Sequence, residues 1–170
     1  MRFSKQLAIF ILCTHSWISM LGQETIQVEG MTFAYRIEGD VLRCELRAPT
    51  NGWTGVGFNS KNSIVGSDLL LFNVVDGKAT SKDLYVKSLG NPMRDEDLGG
   101  KYSIELLDAL EDEKSTVVRF VIPLDSGDPY DYAHELDKDF WLILAYSIED
   151  DFEHHSRVRK HIPLQLKHRE

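Results

Sequence analysis

The sequence predicts an all-β fold, an antiparallel β-sandwich of about nine or ten strands with an immunoglobulin-like arrangement. Three observations predict it. Apolar and polar residues alternate along most of the chain, two segments are apolar on both faces, and turn signals recur about every 8–12 residues. Because no internal repeat, low-complexity tract or linker interrupts this pattern, we expect one domain.

Each predicted strand rests on alternation or on a continuous apolar run. Gly39-Asp40 and Asp76-Gly77 separate such segments and predict hairpin turns. The segments 68–75 and 140–147 are apolar on both faces, which predicts central strands that are covered on both sides. The predicted strands occupy residues 31–38, 41–48, 53–58, 68–75, 78–86, 102–110, 115–123, 140–147 and 160–166.

Three longer connections are predicted as loops: residues 87–100, the acidic stretch 123–138 and the charged stretch 148–159. The segment 102–110 also fits helical spacing, and only its all-β context favours a strand. Pro163 predicts either an edge position or a bulge for the last strand, because proline has no N–H for a ladder hydrogen bond.

The first 22 residues are predicted to be a signal peptide. Arg2 and Lys5 precede an apolar run, residues 7–13, that is shorter than the roughly 20 apolar residues needed to span a bilayer. Cleavage after Gly22 leaves residues 23–170 as the mature domain. We therefore expect a secreted or periplasmic protein without a membrane span in the mature chain.

Charge and cysteine content narrow the choice of partners. The formal net charge is −8 at pH 7, and an acidic protein repels phosphate backbones, so nucleic acid is not an expected partner. After cleavage only Cys44 remains, which excludes an intrachain disulfide. Cys44 shares a strand face with Leu42 and Leu46, and this predicts a small buried side chain.

The sequence lacks the common signatures of catalysis, including G-x-S-x-G, H-E-x-x-H, a phosphate loop and C-x-x-C. A binding role without catalysis is therefore expected. The segment 52–59 is the first candidate, because Trp53, Gly55 and Gly57 share one face of a predicted strand. The two glycines leave a shallow space that either a ligand or side chains of the facing sheet can fill.

Adjacent histidines form the second candidate. On a strand, His154 and His155 would point to opposite faces, so only one would enter a pocket. A neutral imidazole nitrogen ligates divalent metals or haem iron, and Asp150, Asp151 or Glu153 would supply further ligands for a divalent metal. The alternative is a solvated polar loop. A third segment, 123–131, is compatible with a calcium loop and equally with an Asp-rich turn.

In their order along the chain, these segments resemble the DOMON domain family, over residues 32–166. The resemblance implies an extracytoplasmic β-sandwich that binds haem or sugars. The features that carry it are a strand hairpin, G-W-T-G-V-G-F (52–58), V-G-S-D (65–68), D-G (76–77), V-R-F-V-I-P-L (118–124), W-L-I-L-A-Y-S (141–147) and H-H-S-R (154–157).

Haem-binding members of this family resemble b-type cytochromes that transfer electrons to a partner domain or protein. They hold iron between a methionine in the loop after the G-W strand and a histidine near the last strand. By position, the histidine is His155, with His154 as second choice, and the methionine is replaced by Ile64, which cannot ligate iron. This departure implies a five-coordinate haem b, a substitute ligand such as Met93 or a second histidine, or a pocket used for another ligand.

Two function hypotheses follow. The first is a haem b module that transfers electrons to a redox partner protein, with His155 as axial ligand. The second is a module that binds a carbohydrate or another small ligand without haem, in which Trp53, Trp141 or Tyr146 stacks on sugar rings. Trp141 and Tyr146 lie on opposite faces of their strand, so the three cannot share one pocket. An apolar pocket beside His155 favours haem, whereas a groove with exposed aromatic rings and carboxylates favours sugar.

Overall fold

Two antiparallel sheets pack face to face in the computed structural model, which describes residues 23–167. The predicted signal peptide, residues 1–22, lies outside the described residues. Within the described part, no helix is long and apolar enough to cross a membrane. The strands are β1 (Glu24–Val28), β2 (Met31–Glu38), β3 (Val41–Ala48), β4 (Thr54–Asn59), β5 (Asp68–Val75), β6 (Lys78–Ser88), β7 (Asn91–Arg94), β8 (Glu105–Glu111), β9 (Thr116–Pro123), β10 (Asp139–Tyr146) and β11 (Val158–Gln165).

The order of strands is β1-β2-β3-β9-β8 in the five-stranded sheet and β11-β10-β4-β5-β6-β7 in the six-stranded sheet. Both predicted hairpins are present, since β2 pairs with β3 and β5 pairs with β6. The strands β5 and β10, which are apolar on both faces, lie inside the six-stranded sheet as expected. Pro163 lies in the edge strand β11, the kind of position in a sheet where proline is tolerated.

The core lies between the two sheets and is built from alternate residues of their strands. Its largest members include Phe33, Phe58, Phe72 and Phe120, all almost fully buried. Cys44 is 2% exposed within this core, as its alternation predicts. Burial of such side chains at roughly 25 cal/mol per Å² is the main force that holds the two sheets together.

The segment 87–100 corrects one prediction. It is not a continuous loop, because it contains the short strand β7 and a 3₁₀ helix, Asp95–Leu98. Alternation could not reveal β7, which has four residues, includes Pro92 and is held by pairing with β6. The structure also contains β1, which was not among the predicted ranges, and β11 begins at Val158 rather than at residue 160.

The two faces of β4 have different surroundings, as the alternation predicts. Thr54, Val56 and Phe58 face the core between the sheets, and all three are buried. Gly55 and Gly57 belong to the opposite face of the same sheet, which no second sheet from residues 23–167 covers. This outer face of the six-stranded sheet carries the candidate functional site.

One buried histidine makes the fold sensitive to pH. His134 is 6% exposed, and its ring contacts Phe58, Tyr132 and Phe140 at centroid distances of 4.6, 5.0 and 5.5 Å. Neither ring nitrogen has a hydrogen-bond partner among the described residues. Burial lowers the pKa of His134 from its usual 6.5 to about 4.

We predict that His134→Leu reduces the loss of stability on mild acidification. Below pH 6.5 the unfolded chain takes up a proton on His134, whereas the folded ring stays neutral until about pH 4. The wild type therefore loses about 2 kcal/mol between pH 7 and pH 5 through this residue. Because carboxyl groups titrate in the same range, urea unfolding should be measured for both proteins at both pH values. An equal loss in the two proteins would contradict the prediction.

Candidate ligand cleft on the outer sheet face

A cleft of about 760 Å³ lies over the outer face of the six-stranded sheet, and we call it the outer cleft. Its volume is within the usual range for sites of small molecules and cofactors. Aliphatic side chains from three strands of this sheet form its floor, from β10 on one side of β4 and from β5 and β6 on the other. They are Leu69 and Leu71 of β5, Leu84 and Val86 of β6, and Ile143 and Ala145 of β10.

The glycines of β4 have no side chains, so floor residues of the neighbouring strands can pack close to the β4 backbone. Gly55 pairs with Leu71 of β5, and Gly57 pairs with Ile143 of β10. A Cβ atom at Gly55 would lie 2.6 Å from Cδ2 of Leu71, and one at Gly57 would lie 3.4 Å from Cβ of Ile143. The space above the glycines is therefore filled from the same sheet and not from the facing sheet. The outer cleft lies above these neighbouring side chains.

Trp53 forms a buried part of the cleft wall. It is 5% exposed and packs with Leu71, Leu84 and Ala145. Its indole Nε1 donates a hydrogen bond of 3.2 Å to the backbone oxygen of His154. Trp53 therefore joins the cleft floor to the segment that carries the two histidines.

The histidine loop, residues 148–157, is held near both ends by hydrogen bonds. The backbone N of Trp53 donates to the oxygen of Glu149, and the backbone N of Arg157 donates to the oxygen of Tyr146. The side chain of Asn73 on β5 donates to the backbone oxygen of Asp150 at 2.8 Å. These bonds hold the loop at the rim of the outer cleft.

Both histidines line the outer cleft, which corrects the expectation that only one would do so. The expectation assumed a strand, but His154 and His155 lie in a loop, where residues need not alternate between faces. Nδ1 of His154 lies 3.5 Å from a carboxylate oxygen of Asp151. The ring of His155 is exposed and has no polar partner among the described residues.

Ile64 also lines the outer cleft, from the loop that joins β4 and β5. The buried amide of Asn59 holds this loop by donating to the backbone oxygens of Ser63 and Val65 at 2.7 and 3.1 Å. The hydroxyl of Ser67 donates to the backbone oxygen of Ile64 at 2.8 Å. Trp53, Ile64, His154 and His155 thus line one cleft, and Gly55 and Gly57 lie under its floor.

Met93 borders the outer cleft from the edge strand β7, which the sequence alone could not show. Its cross-strand partner is Tyr85, whereas the flanking residues Leu84 and Val86 line the cleft floor. Paired residues of an antiparallel ladder point to the same face, and this register places Met93 on the face of Tyr85. Met93 is therefore a poorer candidate for a ligand in the cleft than the histidines.

The DOMON domain family model matches residues 27–147. This chain belongs to the DOMON family. It is 33% identical over 123 residues to DBH-like monooxygenase protein 2 of Mus musculus, and this alignment covers 71% of this chain and 19% of that protein. It is 29% identical over 120 residues to putative DBH-like monooxygenase protein 2 of Homo sapiens, covering 68% and 22%. The chain thus spans about a fifth of the length of these curated relatives.

Solved structures share the fold. The cytochrome domain of Myriococcum thermophilum cellobiose dehydrogenase aligns with a TM-score of 0.60 at 8% identity, covering 85% of this chain and 82% of that one. The cytochrome b domain of pyranose dehydrogenase from Coprinopsis cinerea aligns with a TM-score of 0.59 at 11% identity, covering 79% and 76%. These likenesses confirm the predicted β-sandwich of the DOMON domain.

Basic side chains at the rim of the cleft were not anticipated from the sequence. Lys82, Arg94 and Arg159 come from β6, β7 and β11 and line the outer cleft of this DOMON domain. Nζ of Lys82 lies 4.9 Å from the ring centroid of Phe152, and Arg94 pairs with Asp97 at 2.7 Å. No sequence motif could have grouped them, because the pairing of distant strands brings them together.

The alternative divalent-metal site at the histidines does not assemble. Of the proposed acidic partners, Asp151 comes to 3.5 Å of His154. Within residues 23–167, neither histidine belongs to a group of three potential ligand residues close enough to share an ion.

The three aromatic residues considered for sugar stacking do not lie together. Trp53 lines the outer cleft, Trp141 is not among the cleft-lining residues, and Tyr146 packs against the core.

We predict that Gly52→Ala destabilises the domain and displaces the histidine loop. A Cβ atom at Gly52 would lie 2.6 Å from the backbone N of Glu149 and from the backbone carbon of Ile148, where nothing flexible can give way. The expected loss is about 1–3 kcal/mol in the free energy of unfolding. Urea unfolding and amide hydrogen exchange over 148–157 measure the two effects. The exposed neighbour Asn51→Ala is the control, and equal stability of the two variants would refute the close approach.

Proposed function

We propose that this DOMON domain binds haem b in the outer cleft, with His155 as axial ligand, and that it takes part in electron transfer. The observation that supports the proposal is the combination, in one cleft, of an aliphatic floor, exposed imidazoles and basic side chains. Two solved cytochrome domains share this fold, which is consistent with the proposal. When bound, haem b supplies one-electron chemistry.

The residues of the cleft fit the chemistry of haem. The porphyrin is flat and apolar, and the floor formed by residues such as Leu71 and Ile143 offers it an apolar surface. Its two propionates are anionic, and the outer cleft contains basic side chains although the chain as a whole is acidic. Arg159 is suited to pair with a propionate, and Lys82 would do so in place of Glu153, which lies 3.9 Å from its Nζ.

Two histidines are available for the iron. The resemblance assigns the family's histidine to His155, and the ring of His155 is free of competing polar contacts within the described chain. Nδ1 of His154 lies near Asp151, and a carboxylate beside the second ring nitrogen is a common feature of ligating histidines. We assign the ligand to His155 and test His154 beside it.

The opposite axial position has no ligand at the family's methionine site. Ile64 lines the outer cleft but offers no lone pair, and the register of β7 places Met93 on the face of Tyr85. The proposal therefore gives the iron one protein ligand. A five-coordinate haem with one histidine is expected to be high-spin.

A carbohydrate ligand has less support from the geometry. Sugar rings stack on exposed aromatic faces, but Trp53 is buried in the cleft wall and its indole N–H is already bonded to His154. The proposed role is binding and electron transfer without catalysis. We place the protein outside the cytoplasm, as secreted or periplasmic, where it would meet a redox partner protein.

We predict that haemin produces a saturable Soret shift at one haem per chain in protein that comprises residues 23–170. His155→Ala should weaken binding by at least about tenfold, because an axial ligand is worth more than 1.4 kcal/mol. The control is Glu105→Ala, which changes an exposed residue of β8 in the other sheet, away from the cleft. Circular dichroism verifies that each variant is folded.

The variants separate three results. Loss of binding in His155→Ala alone supports the assignment, and loss in His154→Ala alone moves the ligand to the neighbouring residue. A shift that is absent in the wild type, or that both histidine variants leave unchanged, refutes a histidine-ligated haem and favours a glycan screen.

A further inference from the structure

Five aspartates lie close together on the inner side of the six-stranded sheet, and we call them the aspartate cluster. They come from four separate segments of the chain. Asp68 begins β5, Asp83 lies on β6, Asp95 begins the 3₁₀ helix, and Asp128 and Asp131 lie in the connection between β9 and β10. Potential ligand atoms of Asp68, Asp83 and Asp131 all lie within 4.8 Å of one another, as do those of Asp95, Asp128 and Asp131.

Three of these carboxylates use only one oxygen in hydrogen bonds with residues 23–167. Oδ2 of Asp68 accepts from the backbone N of Tyr132 at 3.1 Å, and Oδ2 of Asp83 accepts from the backbone N of Ser103 at 2.7 Å. Oδ2 of Asp131 accepts from the hydroxyl of Ser103 at 2.6 Å. In each case Oδ1 is buried and has no hydrogen-bond partner among the described residues. These bonds orient the three carboxylates and leave one oxygen of each available.

Asp95 is the most deeply buried member of the cluster. It is 0% exposed, and neither of its oxygens has a hydrogen-bond donor within the described chain. No ion pair described for residues 23–167 joins a lysine or arginine to the aspartate cluster. Burial and the neighbouring carboxylates raise the pKa of Asp95 to about 8 and that of Asp83 to about 6. Buried carboxylates without a partner are costly, and either a bound proton or a bound cation offsets that cost.

A small cavity lies where the free oxygens meet. Asp68, Asp83 and Asp131 line it, and its volume of about 10 Å³ is the space for about one water-sized occupant. Hard divalent cations prefer carboxylate oxygens, and Ca²⁺ accepts irregular sets of about 6–8 oxygen ligands. Mg²⁺ usually retains several waters, for which a cavity of this size has no room.

We propose that Asp68, Asp83 and Asp131 bind one Ca²⁺ ion in this cavity, with Asp95 next to Asp131 at the edge of the site. The ion would join β5, β6 and the connection between β9 and β10. This site is separate from the outer cleft, because Asp83 faces inward whereas its neighbour Leu84 lies on the cleft floor. The proposal therefore does not depend on haem.

Thermal unfolding of haem-free protein tests this site, after removal of metals with EDTA. We expect 1 mM Ca²⁺ to raise the Tm by about 5–10 °C, because the ion binds the folded state and not the unfolded chain. Isothermal titration calorimetry should find one Ca²⁺ per chain. Asp83→Asn and Asp131→Asn should each lose the Ca²⁺-dependent rise, and both should fold without Ca²⁺, because each removes an uncompensated buried charge.

The matched control is Asp139→Asn, which changes an exposed aspartate of β10 outside the cluster and should keep the full Ca²⁺ response. Three results would overturn the proposal. They are a Tm that Ca²⁺ does not raise, a rise that persists unchanged in Asp83→Asn and Asp131→Asn, and an equal rise with 1 mM Mg²⁺. Each would be obtained without haem, so failure here leaves the outer cleft untouched.

Discussion

The six-stranded sheet buries apolar side chains on both faces, and the other features of the domain depend on this constraint. The five-stranded sheet covers its inner face through a core that includes Phe58 and Phe72. Within residues 23–167 the outer face has no second sheet, so loops such as residues 148–157 cover it only in part. Where this cover ends, aliphatic side chains remain beneath an open cleft. Glycines in β4 let Leu71 and Ile143 pack close to the β4 backbone beneath this cleft.

Alternation along single strands gives the domain two different chemical environments. On β6, Leu84 faces the outer cleft while Asp83 points into the aspartate cluster. The outer side combines an aliphatic surface with imidazoles and basic groups, which suits a flat anionic cofactor. The inner side gathers carboxylates with unused oxygens, which suits a hard cation. Both proposed sites therefore rest on β5 and β6, whose pairing fixes the positions of their side chains.

Local patterns predicted much of the fold, because strands and hairpin turns depend on neighbouring residues. The shared face of Trp53, Gly55 and Gly57 could be predicted for the same reason. Pairing between distant segments could not be predicted in this way. This pairing brings Met93 to the outer cleft and gathers the basic side chains at its rim. It also places Asp68 and Asp83 beside the Asp-rich turn of residues 123–131, which the sequence predicted either as a calcium loop or as a plain turn. The histidines were misjudged because alternation between faces applies to strands and not to loops.

The most direct test of the account asks whether haem iron lies beside position 64. Electron paramagnetic resonance and visible spectra of the ferric complex should be compared for the wild type, Ile64→Met and the matched control Ile64→Leu. If haem lies in the outer cleft with one histidine ligand, the wild type and Ile64→Leu are high-spin, and Ile64→Met acquires a low-spin signal because its thioether completes the coordination. Identical spectra for the three proteins would contradict this location of the haem, and failure of all three to bind haemin would contradict the haem assignment itself.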